Sequence, residues 1–230
     1  MIKIDKELWE NLQKKGFFDS PITNQQLSYI YNKKMYETRI VRWRIRGFNL
    51  PFYDIREAFK QTKEKDKELI DFYSDCKVMT SGYLDYDKTA IKVAQKVTFR
   101  LKYQEDSATY KSDEYWARPI DIHRKTKDDC DGYACLTCYV CGLLGIPSFR
   151  RFVRLGYVND GSGAIGHATF VYLSTRTNEF YPLEGSYYSA LSWMNFDKIP
   201  LRNNPFYKET WYLTNEKDSY GTNPLIQIIK

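Results

Sequence analysis

Histidine and cysteine are scarce in this chain of 230 residues, which contains 2 His and 5 Cys. Two His leave little room for a His-rich metal cage, and a secreted disulfide scaffold is shorter and denser in Cys. The odd number of Cys means that at least one thiol stays unpaired within the chain. We therefore expect chemistry that relies on few side chains, with no metal and no cofactor.

Long apolar segments are also missing. No stretch approaches the roughly 18 uncharged apolar residues that a membrane span needs. The first ten residues carry charges every few positions, whereas a signal peptide has an apolar core there. The sequence therefore predicts a cytoplasmic protein with reduced thiols and no membrane partner.

Aromatic residues, in contrast, are abundant, with 20 Tyr, 13 Phe and 5 Trp. This excludes a disordered chain, because disordered chains lack large apolar groups to bury. The length fits one domain with an extension. We expect a mainly helical N-terminal extension over residues 1–80, with helices within 1–35 and over 54–76, followed by a domain over 81–230.

A basic strip stands out from an otherwise mixed charge pattern, with a net charge of +6. Arg42, Arg44 and Arg46 alternate with apolar residues, so a strand would place all three on one face. They could contact nucleic acid or an acidic protein surface, or they could be the solvated face of an edge strand. The modest net charge disfavours a dedicated nucleic-acid binder and leaves other proteins as partners for the strip and the extension.

The second half of the chain predicts an α+β fold. Residues 131–144 are almost wholly apolar and end at Gly145 and Pro147, which indicates a buried central helix. The strands that follow are joined by tight turns, which favour an antiparallel sheet; they span 149–158, 165–173 and 180–183. Before this helix, Asp87 is expected to cap a helix that runs to Tyr103, and 104–127 to form a polar loop with His123 exposed.

Three residues in this region could form a catalytic group. Cys130 starts the buried helix, where free backbone N–H groups and the helix dipole favour a thiolate. Because Asp128 and Asp129 oppose this effect, an imidazolium partner would be needed. His167 opens one strand and Glu184 ends the next, so a hairpin would bring them together. Cys, His and an acid suit acyl transfer; the alternatives are an inert Cys, a satisfied His and a solvated Glu.

The remaining thiols of the helix have the spacing of a metal motif. Cys135, Cys138 and Cys141 form a CxxCxxC pattern, which iron–sulfur and zinc sites also show. Within one continuous helix these positions fan out, whereas metal clusters are normally wrapped by loops. The pattern therefore favours packing in the core over metal binding.

Several short motifs around Cys130 resemble the transglutaminase-like superfamily, in particular its bacterial and phage cysteine peptidases. The run Asp-Cys-Asp-Gly-Tyr-Ala at 129–134 is similar to the signature around the family's cysteine. Tyr-Trp-Ala-Arg-Pro at 115–119, the helix end at 100–103, Gly-His-Ala at 166–168 and Tyr-Pro-Leu-Glu at 181–184 resemble flanking elements of those peptidases. The resemblance covers about residues 87–190.

This resemblance implies a papain-like α+β core with a catalytic triad. Cys130 would be the nucleophile, His167 the base and Glu184 the orienting acid, while the backbone N–H of Cys130 and the indole N–H of Trp116 would hold the oxyanion. Asp128 departs from the family, which usually has Gly there. The acid is Glu, as in many phage and bacterial members, where animal transglutaminases have Asp.

Two classes of function follow. The first is a thiol enzyme that hydrolyses a peptide or amide bond of a protein or peptide substrate, or that passes the acyl group to an amine. The second is a non-catalytic structural or adaptor protein with the same fold, for example in a phage particle. The N-terminal extension and the basic strip would then contact other chains.

Overall fold

A computed structural model describes residues 36–37, 56, 58–112, 114–159, 161, 163–186 and 198–221. The helices expected within 1–35 and the strip of Arg42, Arg44 and Arg46 lie outside the described residues. The division of the chain at residue 80 stays a prediction.

Helices and short strands alternate in the first part of the described chain, and longer strands follow. The helices are α1 (Lys63–Tyr73), α2 (Tyr86–Arg100), α3 (Asp106–Thr109), α4 (Pro119–Lys125) and α5 (Cys130–Leu143). The strands are β1 (Tyr36–Glu37), β2 (Met79–Thr80), β3 (Tyr83–Leu84), β4 (Lys102–Tyr103), β5 (Lys127–Asp128), β6 (Arg151–Asn159), β7 (Ala164–Leu173), β8 (Phe180–Pro182), β9 (Tyr207–Thr214) and β10 (Ser219–Gly221).

The main sheet is antiparallel and has six strands in the order β1-β10-β9-β6-β7-β8. β6 and β7 form the hairpin that the turn residues around 159–163 predict, with Arg151 opposite Tyr172 and Gly156 opposite His167. β8 then pairs with the end of β7, so that Val171 lies opposite Pro182. A buried helix beside an antiparallel sheet confirms the predicted α+β class.

The central helix α5 follows from its composition. Its side chains are buried over most of its length because they are apolar on all faces. It ends in a Schellman motif, in which the N–H of Ile146 donates to Cys141 O and that of Gly145 to Gly142 O. Gly145 has φ of +102°, which a residue with a Cβ adopts only with strain.

Two clusters of buried side chains cover the two faces of the sheet. The larger joins α5 to α1, α2 and α4 and to one face of the sheet, with Leu69, Val93, Leu136 and Phe170 among its members. The smaller covers the other face; its buried members are Phe149, Phe152, Val158, Val171, Leu173, Phe180, Leu201, Tyr207, Leu213 and Tyr220. The sheet and α5 are therefore packed from both sides and form a rigid base for residues at their ends.

The helix α2 begins two residues earlier than a cap at Asp87 requires. Asp85 is the N-cap, and its carboxylate accepts the N–H of Lys88 at 3.0 Å. Asp87 is instead buried within the first turn, where it accepts the hydroxyl of Tyr172 at 2.7 Å and the N–H of Thr175 at 2.8 Å. The cap prediction was wrong because Asp87 has tertiary partners on the sheet that the local sequence does not show.

The segment 104–127 is more ordered than the predicted polar loop. It contains the short helices α3 and α4, and α4 starts at Pro119, a common first residue of a helix. The prediction that His123 is exposed is wrong, since its side chain packs against Phe72 and Tyr73 and is only 5% exposed. Its position on the inner face of α4 explains this burial.

A two-residue parallel pair places the start of α5. β4 runs beside β5, with Lys102 opposite Lys127 and Tyr103 opposite Asp128. The chain after α2 is thereby tied to the residues just before Cys130. In the part of the chain that the structure describes, no helix is long and apolar enough to cross a membrane.

Candidate active site

Cys130 is the first residue of α5, and its sulfur faces the sheet. Asp129 is the N-cap, and its carboxylate accepts the N–H of Asp131 at 3.1 Å. The sulfur of Cys130 accepts the N–H of Ala168 at 3.5 Å, so it lies against the residue that follows His167. Helix start and strand therefore meet at the thiol.

His167 and Glu184 form a buried pair. His167 Nε2 lies 2.8 Å from Glu184 Oε2, and both side chains are almost fully buried. The pairing of β7 with β8 explains the contact, because continuing its register puts Glu184 opposite Thr169, diagonal to His167. The hairpin geometry expected from the sequence is thus the geometry observed for these two side chains.

Glu184 is surrounded by hydrogen-bond donors. Its Oε1 accepts the N–H groups of Gly185 and Ser186, each at 3.0 Å, and the Ser186 hydroxyl at 2.8 Å. Its Oε2 accepts the hydroxyls of Thr169 and Tyr207, both at 3.2 Å, in addition to the His167 contact. Although burial alone would raise the pKa of Glu184, the charge of His167 and these donors lower it to about 2.

The Cys130 thiol has a very different environment. Burial raises its pKa well above the usual value, and the carboxylates of Asp129 and Asp131 raise it further. The hydrogen bond from Ala168 acts in the opposite direction. The thiol is therefore the resting form, as the flanking acids in the sequence suggest.

Five carboxylates cluster around the start of α5. Asp128, Asp129 and Asp131 come from the sequence around Cys130, whereas Asp106 and Glu114 come from the preceding segment. Oxygen atoms of Asp106, Glu114 and Asp131 lie within 4.8 Å of one another, and so do those of Asp106, Asp128 and Asp129. Burial and mutual repulsion raise the pKa of Asp106 to about 8, and those of Glu114 and Asp128 to about 7.

This acidic cluster has unsatisfied oxygens. Asp131 is 3% exposed, and neither of its carboxylate oxygens has a hydrogen-bond partner among the described residues; the same holds for Oδ1 of Asp106. A buried acceptor without a partner is costly, and carboxylate oxygens are the ligands that Ca²⁺ and Mg²⁺ prefer. These carboxylate oxygens therefore fit a hard divalent cation as its ligands. Sequence reasoning missed this cluster because Asp106 and Glu114 come from an apparent loop.

Asp128, the departure from the family pattern, is part of this arrangement. It is fully buried, with the Tyr110 hydroxyl donating to Oδ2 at 2.7 Å and the Asp129 N–H to Oδ1 at 3.0 Å. A Cβ at Gly132 would lie 2.3 Å from the Asp128 Cγ. Gly132, within the helix, is therefore what makes room for this carboxylate.

Trp116 does not present a free indole N–H. Its Nε1 donates to Glu114 Oε1 at 2.9 Å, and the indole is 7% exposed. An oxyanion role for Trp116 stays a prediction, and it requires that this contact be released.

The other four thiols are more deeply buried than Cys130. Cys76, Cys135, Cys138 and Cys141 are at most 3% exposed and belong to the larger core cluster. Burial raises the pKa of Cys76 to about 11 and that of Cys138 to about 12. The three helix thiols thus pack in the core, as expected, while Cys130 is half-buried.

No protein-family model matches the chain, and no curated protein matches its sequence. Solved structures do match, and the chain shares their fold.

The matching structures include three of LapG from Legionella pneumophila, a transglutaminase-like cysteine protease. The EGTA-treated form matches with a TM-score of 0.50 and 16% identity over 75% of this chain and 84% of LapG. The calcium-bound form has a TM-score of 0.49, 16% identity and coverage of 76% and 90%. A third structure has a TM-score of 0.49, 17% identity and coverage of 73% and 83%. At this level of identity the similarity shows a shared fold.

Proposed function

We propose that this chain is a thiol enzyme that transfers acyl groups through a thioester on Cys130. It would act as a peptidase or amidase on a protein or peptide, or as a transamidase. One observation carries the proposal: the Cys130 sulfur lies against Ala168, while the adjacent His167 is bound to Glu184 at 2.8 Å. These contacts support a role in which the thiol at the helix N-terminus works with His167, whose imidazole Glu184 orients.

In the proposed reaction, the Cys130 sulfur bonds to the carbonyl carbon of an amide, and the C=O electron pair moves onto oxygen. His167 takes the thiol proton and gives it to the amine nitrogen as the C–N bond breaks, which leaves a thioester. Water or an amine then attacks the thioester, the C–S bond breaks, and the thiol regains a proton. Glu184 holds the imidazole, and backbone N–H groups at the start of α5 stabilise the oxyanion.

Labelling with iodoacetamide tests the nucleophile. We expect Cys130 to react first at neutral pH, because the other four thiols are buried in the core. Cys130→Ala should abolish hydrolysis of a peptide library, a loss of roughly 1000-fold or more. Cys135→Ala, on the same helix, is the matched control and should retain activity. Equal labelling of the thiols, or an active Cys130→Ala variant, would favour the non-catalytic adaptor.

The acidic cluster adds a second part to the proposal: Asp106, Glu114 and Asp131, with Asp128 and Asp129 beside them, hold a hard divalent cation such as Ca²⁺. The unpartnered oxygens of Asp131 and Asp106 support it. A bound dication would supply positive charge against these carboxylates. The residues themselves would join the segment before α4 to the first turn of α5.

Thermal unfolding with Ca²⁺ and with EDTA tests this site. A ligand at about 100 times its Kd stabilises by roughly 2.7 kcal/mol, which corresponds to about 5 to 10 °C in a chain of this size. We expect this shift in the unaltered protein and its loss in Asp106→Asn. Glu105→Gln removes an exposed carboxylate nearby and should leave it intact. An equal melting temperature in Ca²⁺ and EDTA for the unaltered protein would contradict the site.

Other expectations remain predictions. They are the cytoplasmic location, a place in a phage particle, and protein contacts made through the N-terminal extension and through Arg42, Arg44 and Arg46.

A further inference from the structure

Tyr207, the first residue of β9, contacts the same carboxylate oxygen as His167. Its hydroxyl donates to Glu184 Oε2 at 3.2 Å, while His167 Nε2 lies 2.8 Å from that oxygen and the Thr169 hydroxyl 3.2 Å. A carboxylate oxygen has two lone pairs in its plane, so three donors must share them. The phenol therefore competes with the imidazole for Glu184.

The phenol of Tyr207 remains a donor under all ordinary conditions. Burial raises its pKa well above the usual value, and the negative charge of Glu184 raises it further. The ring is 9% exposed and belongs to the smaller core cluster, so solvent does not replace the contact.

Arg154 fixes the ring of Tyr207. Its guanidinium carbon lies 5.2 Å from the ring centroid, within the range of a cation–π contact. Arg154 is fully buried, and it donates to the Thr210 hydroxyl at 2.9 Å and to Glu209 O at 2.7 Å. A Cβ at Gly156 would lie 2.0 Å from Glu209 O and 2.7 Å from the guanidinium, so glycine leaves the space for both. Arg154 of β6, bound to residues of β9, thus packs against the Tyr207 ring and restricts its position.

We propose that Tyr207 is a positioning residue for the His167–Glu184 pair. It holds the carboxylate so that Oε2 faces His167 Nε2, and by sharing that oxygen it limits how strongly Glu184 draws on the imidazole proton. The role rests on the proposed function of the same site. It assigns a task to the tail of the domain, after residue 200, which the motifs around Cys130 do not include.

Tyr207→Phe tests this role, because it removes the phenol oxygen and keeps the ring over Arg154. Loss of a hydrogen bond to a charged group predicts a fall in kcat of roughly 10- to 100-fold with KM unchanged. The low-field ¹H NMR resonance of the imidazole proton between His167 and Glu184 should move downfield, since the oxygen has lost a competing donor.

Tyr212→Phe is the matched control, since Tyr212 lies on the same strand and its buried hydroxyl has no hydrogen-bond partner among the described residues. It should change neither kcat nor the resonance, and both variants should keep a cooperative thermal transition. An unmoved resonance in Tyr207→Phe, or the same shift in Tyr212→Phe, would overturn the role. The resonance needs no turnover, so it decides the contact even if no activity depends on Cys130. Unchanged kcat in an enzyme that does depend on Cys130 would sink the positioning role alone.

Discussion

Glu184 and Asp131 are two carboxylates that act on Cys130, and they are buried to nearly the same extent, at 2% and 3% exposure. Glu184 accepts hydrogen bonds on both oxygens and faces His167, and its pKa is lowered to about 2. Asp131 has no partner for either oxygen among the described residues; burial raises its pKa well above the usual value, and the neighbouring acids raise it further. Burial raises the pKa of both carboxyls, and only at Glu184 do the donors and the charge of His167 outweigh it.

The largest expected effect comes from removing the charge of Glu184, the carboxylate whose oxygens both accept hydrogen bonds. Glu184→Gln keeps the shape of the side chain but takes away the anion that orients His167. We expect kcat/KM for peptide hydrolysis to fall on the order of 1000- to 10,000-fold, by analogy with the acid of other triads. Steady-state kinetics of the purified variant measure this. A loss below tenfold would mean that Glu184 has only a structural role.

Lowering the pH should protonate Glu184 and so remove the difference in charge between Glu184 and Asp131. Because the pKa of Glu184 is lowered from 4.5 to about 2, its contribution to stability is present above pH 4.5 and is lost as the pH falls towards 2. The full loss is roughly 3 kcal/mol at 1.36 kcal/mol per pH unit. Urea unfolding between pH 5 and pH 2 measures it, and Glu184→Gln should show a shallower decline over the same range.

His123 extends the comparison to a buried base on which the positive charge of Arg100 acts more strongly than the negative charge of Glu68. Burial lowers its pKa from 6.5 to about 4, and the charge of Arg100 contributes in the same direction. As the pH drops, the unfolded chain therefore binds a proton at this side chain before the folded chain does. The free energy of unfolding falls between pH 6.5 and pH 4, by roughly 2 kcal/mol once partial screening by solvent is included. His123→Phe should flatten this step in urea unfolding. An identical profile in the variant would show that another group is responsible.

The smallest effect in the absence of a cation is expected at Asp131. In EDTA, Asp131→Asn should change the free energy of unfolding by less than about 1 kcal/mol, since burial and the neighbouring acids disfavour the charge that this substitution removes. In Ca²⁺ the same variant should lose the stabilisation that the unaltered protein gains. A large destabilisation in EDTA would instead show that Asp131 is charged and has a partner when no cation is present.

The elements with strong local patterns were predictable, and those that depend on distant partners were not. The helix at Cys130–Leu143 follows from an apolar run with a glycine stop, and β6 to β8 follow from short apolar runs between turns. The cap at Asp85, the helix from Pro119 and the burial of His123 were missed. At Asp87 and His123, contacts with other elements outweighed the polar character of the local sequence, whereas the start of a helix at Pro119 is a local signal.

The candidate site divides in the same way. Cys130, His167 and Glu184 could be named because each stands at the end of a strongly patterned element and within a motif. Tyr207 could not be linked to them, because it lies 23 residues beyond Glu184 and carries no motif. The sequence shows only the part of the acidic cluster that flanks Cys130. The fold adds Asp106 and Glu114 to it.

The scarcity of His and Cys and the order of Cys130, His167 and Glu184 were determined by the sequence alone, because composition and strand periodicity are local properties. The tertiary structure decided which thiol is accessible, which carboxylate is charged and which side chains face them. These outcomes depend on desolvation and on charges contributed by segments far apart in the chain, and only the folded arrangement fixes those distances.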